Sequence, residues 1–139
     1  MADLLVNIDV DDLEKAIAFY TAGLGLRVSR RLGPDIVELH GASAPVYLTA
    51  QPAGTLPAPG SAAPRDYRRH WTPVHLDFVV PELEPALERA RAAGAALEGG
   101  IREFAWGRYA VLADPFGHGF CVLQFQGRGY AEIESAGGD

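Results

Sequence analysis

The sequence predicts an α+β fold built from two tandem βαβββ modules, and two observations carry that prediction. The first is an internal repeat. Residues 4–25 (LLVNIDVDDLEKAIAFYTAGLG) and 74–94 (VHLDFVVPELEPALERARAAG) align at a shift of seventy, matching Val6 with Leu76, Ile8 with Phe78, Val10 with Val80, Leu13 with Leu83 and Ile17 with Leu87. The second is a change of period inside each copy, from apolar alternation at every second residue to helical spacing. The full length of 139 residues suits one domain, or two half-domains around one core, with no need of a disulfide or metal staple.

The elements follow in order. Val6-Ile8-Val10 alternate as a half-buried strand, and Leu13-Ala16-Ile17-Tyr20 space a helix that Asp11 and Glu14 fit as a capping box. Gly25 is the stop signal. Three strands are expected next, Arg27–Arg31, Ile36–His40 and Val46–Ala50, separated by Gly33-Pro34 and by 41–45. In the second copy Leu76-Phe78-Val80 form the strand and Leu83-Ala86-Leu87-Ala90 the helix, with Pro85 in its first turn and Gly94 after it. The remaining strands are Ala96–Glu98, ended by Gly99-Gly100, then Arg108–Ala113 and Phe120–Phe125, joined by the Asp114-Pro115-Phe116-Gly117 turn.

These elements make module one 1–51, a linker 52–72 and module two 73–126, together one domain over 1–126, followed by a mobile or edge-docking tail, 127–139. The linker holds four prolines and two glycines, but Arg65 to Trp71 gather three Arg, a His, a Tyr and a Trp. That stretch reads either as aromatic tacks to the surface or as a lid over a ligand.

Composition bounds the function. A net charge of −6 argues against nucleic acid and anionic membranes as partners. The single cysteine, Cys121, excludes an internal disulfide and multi-cysteine zinc sites. No apolar run reaches the roughly 18 residues of a membrane span, and MADLLVNIDVDD lacks signal-peptide features, so the expectation is a cytoplasmic protein.

Strand alternation then places the functional candidates. If Val6, Ile8 and Val10 face the helix, then Leu5, Asn7 and Asp9 face the other way, as do His75, Asp77 and Val79. Two modules, each apolar on one face, can curl as a curved eight-stranded sheet, an open barrel with the helices outside, around a shared cavity.

The repeat, FYTAGLGL (Phe19–Leu26), HLDF (His75–Phe78) and ADPFGHGFCVL (Ala113–Leu123) together resemble the vicinal oxygen chelate superfamily of glyoxalases, bleomycin-resistance proteins, fosfomycin-resistance enzymes and extradiol dioxygenases. The resemblance covers about residues 4–125 and is nearest to glyoxalase-like domain proteins. It implies this fold, a homodimer, and metal ligands on the first and last strand of each module in the members that use a metal. Here those positions fall on His75 and Cys121 in module two, but on Leu5 and on Val46 or Tyr47 in module one. A catalytic metal usually needs about three protein ligands. The expectation is therefore no complete metal centre; a divalent metal, if held, would use His75 and Cys121, with Asp77 and Asn7 as extras.

Each remaining candidate has two readings. His75 is a ligand contact or general base, or a histidine bonded to Asp77 or the backbone. Cys121 is a nucleophile or a small buried hydrophobe. His118 and Asp114 read as turn structure, and His40 and His70 carry no special signal. Trp106, Arg108 and Tyr109, with Phe104 and Tyr47, would wall a pocket for a flat ligand, with Arg108 as anion partner. Ordinary core and rim packing is the rival reading for each. The site expected from sequence is thus Asn7, Tyr47, His75, Asp77, Trp106, Arg108, Tyr109 and Cys121. The function expected is binding of a small organic molecule, aromatic or anionic, as in antibiotic-sequestering resistance proteins. The alternatives are a divalent-metal lyase, isomerase or dioxygenase using His75, and metal-free acid–base catalysis by His75 with Asp77.

Overall fold

The computed structural model describes residues 1–136. Module one runs β1 (Val6–Val10), α1 (Leu13–Ala22), β2 (Arg27–Leu32), β3 (Ile36–His40) and β4 (Val46–Ala50). Module two repeats it as β5 (Leu76–Val79), α2 (Leu83–Ala92), β6 (Ala96–Phe104), β7 (Gly107–Ala113) and β8 (Gly119–Phe125). Strand order is β1-β4-β3-β2 in one sheet and β5-β8-β7-β6 in the other, with β1 parallel to β4 and β5 parallel to β8. The two sheets form the expected open, unclosed arrangement with both helices outside. β1 and β5 are edge strands of their own sheets, and no backbone ladder joins them among the described residues.

What joins the modules is side-chain packing. Val10, Val37, Leu39, Val46 and Leu48 from module one share a core with Leu83, Leu112, Phe116, Phe120 and Val122 from module two. Phe19 of α1, 1% exposed, stands edge-on to Tyr20 at 4.9 Å and reaches Phe120 of β8 at 6.4 Å. Phe78 of β5 meets the same Phe120 ring at 5.8 Å.

Local structure departs from the sequence expectation at the start of α1 and along β6, and fills in detail at α2 and in the tail. Helix α1 starts one residue later than the capping box requires, so Asp12 is the cap, its carboxylate accepting the Lys15 amide at 3.1 Å, and Glu14 pairs with Arg31 instead. Helix α2 has no side-chain cap of its own; Gln124 Oε1 on β8 accepts the Leu83 amide at 2.8 Å. Strand β6 does not stop at Glu98. Gly99, at φ +74°, lets the register shift between Glu98 and Arg102, and the strand continues to Phe104. The tail folds back as a short 3₁₀ turn (Gly129–Ile133) whose Tyr130 packs on Phe125 at 4.7 Å and Trp106 at 5.1 Å. Residues 137–139 of the expected tail lie outside the described residues.

Because Phe19 bridges both halves of the core, Phe19→Ala should lower stability by about 3–5 kcal/mol. Chemical denaturation should still show one cooperative transition; two separate transitions would mean that the modules fold independently.

Candidate functional site

The seam between β1 and β5 opens into a cavity of about 590 Å³. Leu5, Ile8, Leu76, Phe78 and Phe120 give it apolar walls, and Asn7, Asp9, Tyr20, His70, His75 and His118 supply polar groups. Register places the flanking side chains. Asn7 pairs with Tyr47, Tyr47 with Glu38 and Glu38 with Arg30, so these four share the face away from α1. Val46 points into the core at 2% exposure, which assigns Tyr47 rather than Val46 to the open face.

That face is internally committed in module one. Tyr47 donates its hydroxyl to Glu38, Arg30 Nε donates at 3.0 Å, and His40 Nε2 lies 3.2 Å away. The Tyr47 hydrogen bond, followed by that of Arg30, holds the buried Glu38 carboxyl down at about 2. Asn7 Oδ1 accepts from the Thr49 hydroxyl at 2.7 Å.

Module two gathers His75, Asp77 and Cys121, whose ligand-type atoms all lie within 4.8 Å of one another. Asp77 and Cys121 are register partners on β5 and β8, and His75 Nε2 is 3.2 Å from Asp77 Oδ1. Burial, then the Asp77 charge, pushes the Cys121 thiol from its ordinary 9.0 to about 11, so it stays protonated at neutral pH. The arrangement offers a histidine–carboxylate pair able to take a proton, beside an unreactive thiol.

His118, Gly119 and Phe120, which follow the 114–117 turn, line one end of the cavity together with Tyr20. Asp114 Oδ1 accepts the Phe116 and His118 amides at 2.8 and 2.9 Å, and Oδ2 accepts the Tyr20 hydroxyl of α1 at 2.5 Å. Burial first, and then the Asp114 charge, keeps the Tyr20 phenol well above its usual range. The segment 65–72 lies across this end as a strap. Arg65 Nε pairs with Asp9 at 2.8 Å, Tyr67 donates to the Gln51 carbonyl at 2.6 Å, and Arg69 pairs with Glu98 at 2.5 Å. Trp71 lies over Gly119, where a Cβ would sit 2.8 Å from the ring, and meets His75 edge-on at 5.5 Å. The aromatic-tack reading of 65–71 describes these contacts, and His70 and Thr72 also line the cavity.

Of the eight residues expected from sequence, Asn7 and His75 line the seam cavity; Asp77 and Cys121, which cluster with His75, and Tyr47, the register partner of Asn7, are not part of its lining. Arg108 needs correcting. It lies on the helix side of β7, where its guanidinium holds Glu84 at 2.5 and 2.7 Å and Gln124 at 3.0 Å, and so organises the start of α2. Trp106 and Tyr109 do not line the cavity either. With Phe104 they form a near-parallel stack at the far end of module two, centroids 5.5–6.2 Å apart. Sequence reasoning missed Tyr20, His70 and His118 as cavity residues. His118 bonds the Asp9 carbonyl of β1 at 2.7 Å rather than carbonyls of its own turn. The clustering of Arg65–Trp71 was the available signal for His70.

A family model described as a glyoxalase-like domain matches residues 5–123. The chain belongs to the glyoxalase-like domain family. A protein of Mycobacterium tuberculosis (strain H37Rv), described as uncharacterized, is 32% identical over 121 residues, covering 85% of this chain and 71% of its own. Among solved structures, a glyoxalase-related enzyme from Fulvimarina pelagi superposes with a TM-score of 0.69 at 22% identity, covering 88% of this chain and 87% of that one. An antibiotic-binding protein from a Streptomyces species gives 0.62 at 21% identity, covering 91% and 97%. At these identities the two structures establish the fold of the glyoxalase-like domain and nothing finer.

Many proteins of this fold hold a divalent metal between the modules, and the residues present can be tested against that. Module two offers His75, Asp77 and Cys121, the last as a protonated thiol. Module one offers Leu5, a Tyr47 hydroxyl already given to Glu38, and an Asn7 Oδ1 that already accepts from Thr49. A centre shared by both modules does not fit this donor set.

Two outcomes follow from this geometry. Tyr20→Phe removes one donor from a buried carboxylate and should cost about 1.5–3 kcal/mol by chemical denaturation; a neutral effect would show that the junction does not rely on this bond. Cys121 should alkylate slowly at pH 8 and speed up as pH approaches about 11, and Asp77→Asn should accelerate it at pH 8. The folded chain keeps a thiol proton that the unfolded chain releases above its ordinary 9.0, so this contribution to stability is complete below pH 9 and is lost as pH rises towards 11.

Proposed function

We propose that this glyoxalase-like protein binds a small organic molecule in the β1/β5 seam cavity without a complete metal centre. The observation that carries the reading is the cavity itself: about 590 Å³, apolar on most of its wall, with Asn7 and His75 among its polar groups, one from each module. Volumes of roughly 300–1,000 Å³ with few convergent polar groups are typical of small-molecule sites. Affinity would come from burying the ligand against Leu5, Ile8, Phe78 and Phe120, and orientation from Asn7 and His75. The antibiotic-binding Streptomyces protein of the same fold supports a sequestering role. As further parts of this proposal, the protein works in the cytoplasm as a homodimer; no helix of the described residues is long and apolar enough to cross a membrane.

The test is a thermal-shift screen of aromatic and anionic small molecules with chelator present throughout. Hits should stabilise the wild type and lose most of that effect in Asn7→Ala and His75→Ala. Hits unaffected by either substitution would place binding elsewhere.

One observation favours a second reading, a metal-dependent lyase, isomerase or dioxygenase: the three donors of module two lie within 4.8 Å. Stoichiometric metal in protein purified without chelator, lost in His75→Ala, would establish that reading and overturn the first.

A further inference from the structure

We infer that His70 and His118 share one proton beyond their neutral complement, and that this proton clamps the 65–72 strap onto the module junction, so that docking of the strap is favoured by acid. The inference stands on hydrogen-bond geometry and does not depend on what the cavity binds.

The two rings form a chain between two backbone carbonyls. His118 Nε2 lies 2.7 Å from the Asp9 carbonyl oxygen, and His70 Nδ1 lies 2.8 Å from the Arg68 carbonyl oxygen. A carbonyl only accepts, so each of these nitrogens must carry a hydrogen. Between them, His118 Nδ1 and His70 Nε2 are 3.1 Å apart, and a bond there needs one hydrogen more. Making all three bonds takes three ring protons, whereas two neutral imidazoles carry two. The chain is complete only as a monocation, with the third proton shared across the central contact.

The surroundings accept that charge. On the strap, Arg65 is matched by Asp9 of β1, Arg68 by Asp66, and Arg69 by Glu98 of β6. Asp114, on the turn that carries His118, makes no ion pair within 4.0 Å among the described residues, although Arg69 also feels its charge. The His118 amide donates to that carboxylate at 2.9 Å, and Tyr20 of α1 holds its other oxygen. Tyr67 presents its ring edge to His118 at 6.0 Å and brings no charge. His118 is thus carried on the turn of a carboxylate that makes no ion pair with an arginine among the described residues.

The strap is seated closely enough for a single bond to matter. The His70 amide donates to the Gly117 carbonyl at 3.0 Å, and a Cβ on Gly117 would collide with the Arg68 carbonyl oxygen. When the shared proton leaves, three bonds must be made with two protons, and one contact of the chain becomes two facing lone pairs. Arg65, Arg69 and Trp71 still hold the strap, so it loosens around His70 rather than detaching. Because His70 and His118 both line the seam cavity, loosening would widen that end of it at higher pH.

The test uses the full chain, ¹⁵N-labelled, from about pH 5.5 to about pH 8.5, the range in which imidazoles titrate. Imidazole nitrogen shifts of His70 and His118 should report release of one proton in a joint step. The His70 amide should lose about tenfold in exchange protection across that step, after correction for intrinsic rates, as one charge-assisted bond would predict. In His70→Gln the pH dependence of protection at 68–72 should vanish, whereas His75→Gln should keep it. Two histidines titrating independently like free imidazoles, with strap protection unchanged across the range, would overturn the inference. Should His70→Gln not fold, the nitrogen shifts of the wild type decide the matter alone.

Discussion

Asp114 holds the two modules in one geometry. No backbone ladder crosses the seam among the described residues, so relative placement of the sheets rests on side chains. The Asp114 carboxylate takes two amides of its own turn and the hydroxyl of Tyr20 from the opposite module's helix. A buried carboxylate with three donors is satisfied without a cation, and it is costly to strip of any one of them. The same turn delivers His118 to the Asp9 carbonyl of β1 and presents Gly117 to the strap. Core packing of Phe19 and Phe78 on Phe120 then closes the outer side of the junction. The cavity is what remains between two edge strands held together at one end and along their backs.

The two open faces have diverged within one repeat. In module one, Tyr47, Glu38 and Arg30 satisfy one another. In module two, the equivalent of Tyr47 is Cys121, and its neighbours are His75 and Asp77. The two modules therefore bring different side chains to the same place in the repeat. Arg108 illustrates the economy of the remainder, since it closes the start of α2 through Glu84 and Gln124, a job that Pro81 and Glu82 leave undone.

Much of this was legible in the sequence because it is local or periodic. The repeat set the modules, and alternation put Asn7, Asp9 and His75 on the face that reaches the cavity. Ile8, Leu76 and Phe78, which alternation turns towards the helices, also line it because β1 and β5 are edge strands with their helix-side residues open at the seam. Register between β1 and β4 decided between Val46 and Tyr47, and register is a long-range property that a one-residue ambiguity hides. Arg108 was misplaced because strand parity was overridden by its charge; parity alone puts it with Gln124 on the helix side. His70 and His118 stand 48 residues apart, and nothing in either neighbourhood encodes their meeting. The β6 bulge was hidden because Gly99-Gly100 reads equally as a break and as a change of register.

The central claim is that the β1/β5 seam is a ligand site that works without a metal. It is tested most directly by mapping amide shifts of the labelled protein on titration with a screening hit in the presence of chelator. The account predicts saturable shifts concentrated at Asn7, Ile8, His75, Phe78 and Phe120. Shifts confined to the Phe104–Trp106–Tyr109 stack, or binding that appears only after a divalent metal is added, would contradict it.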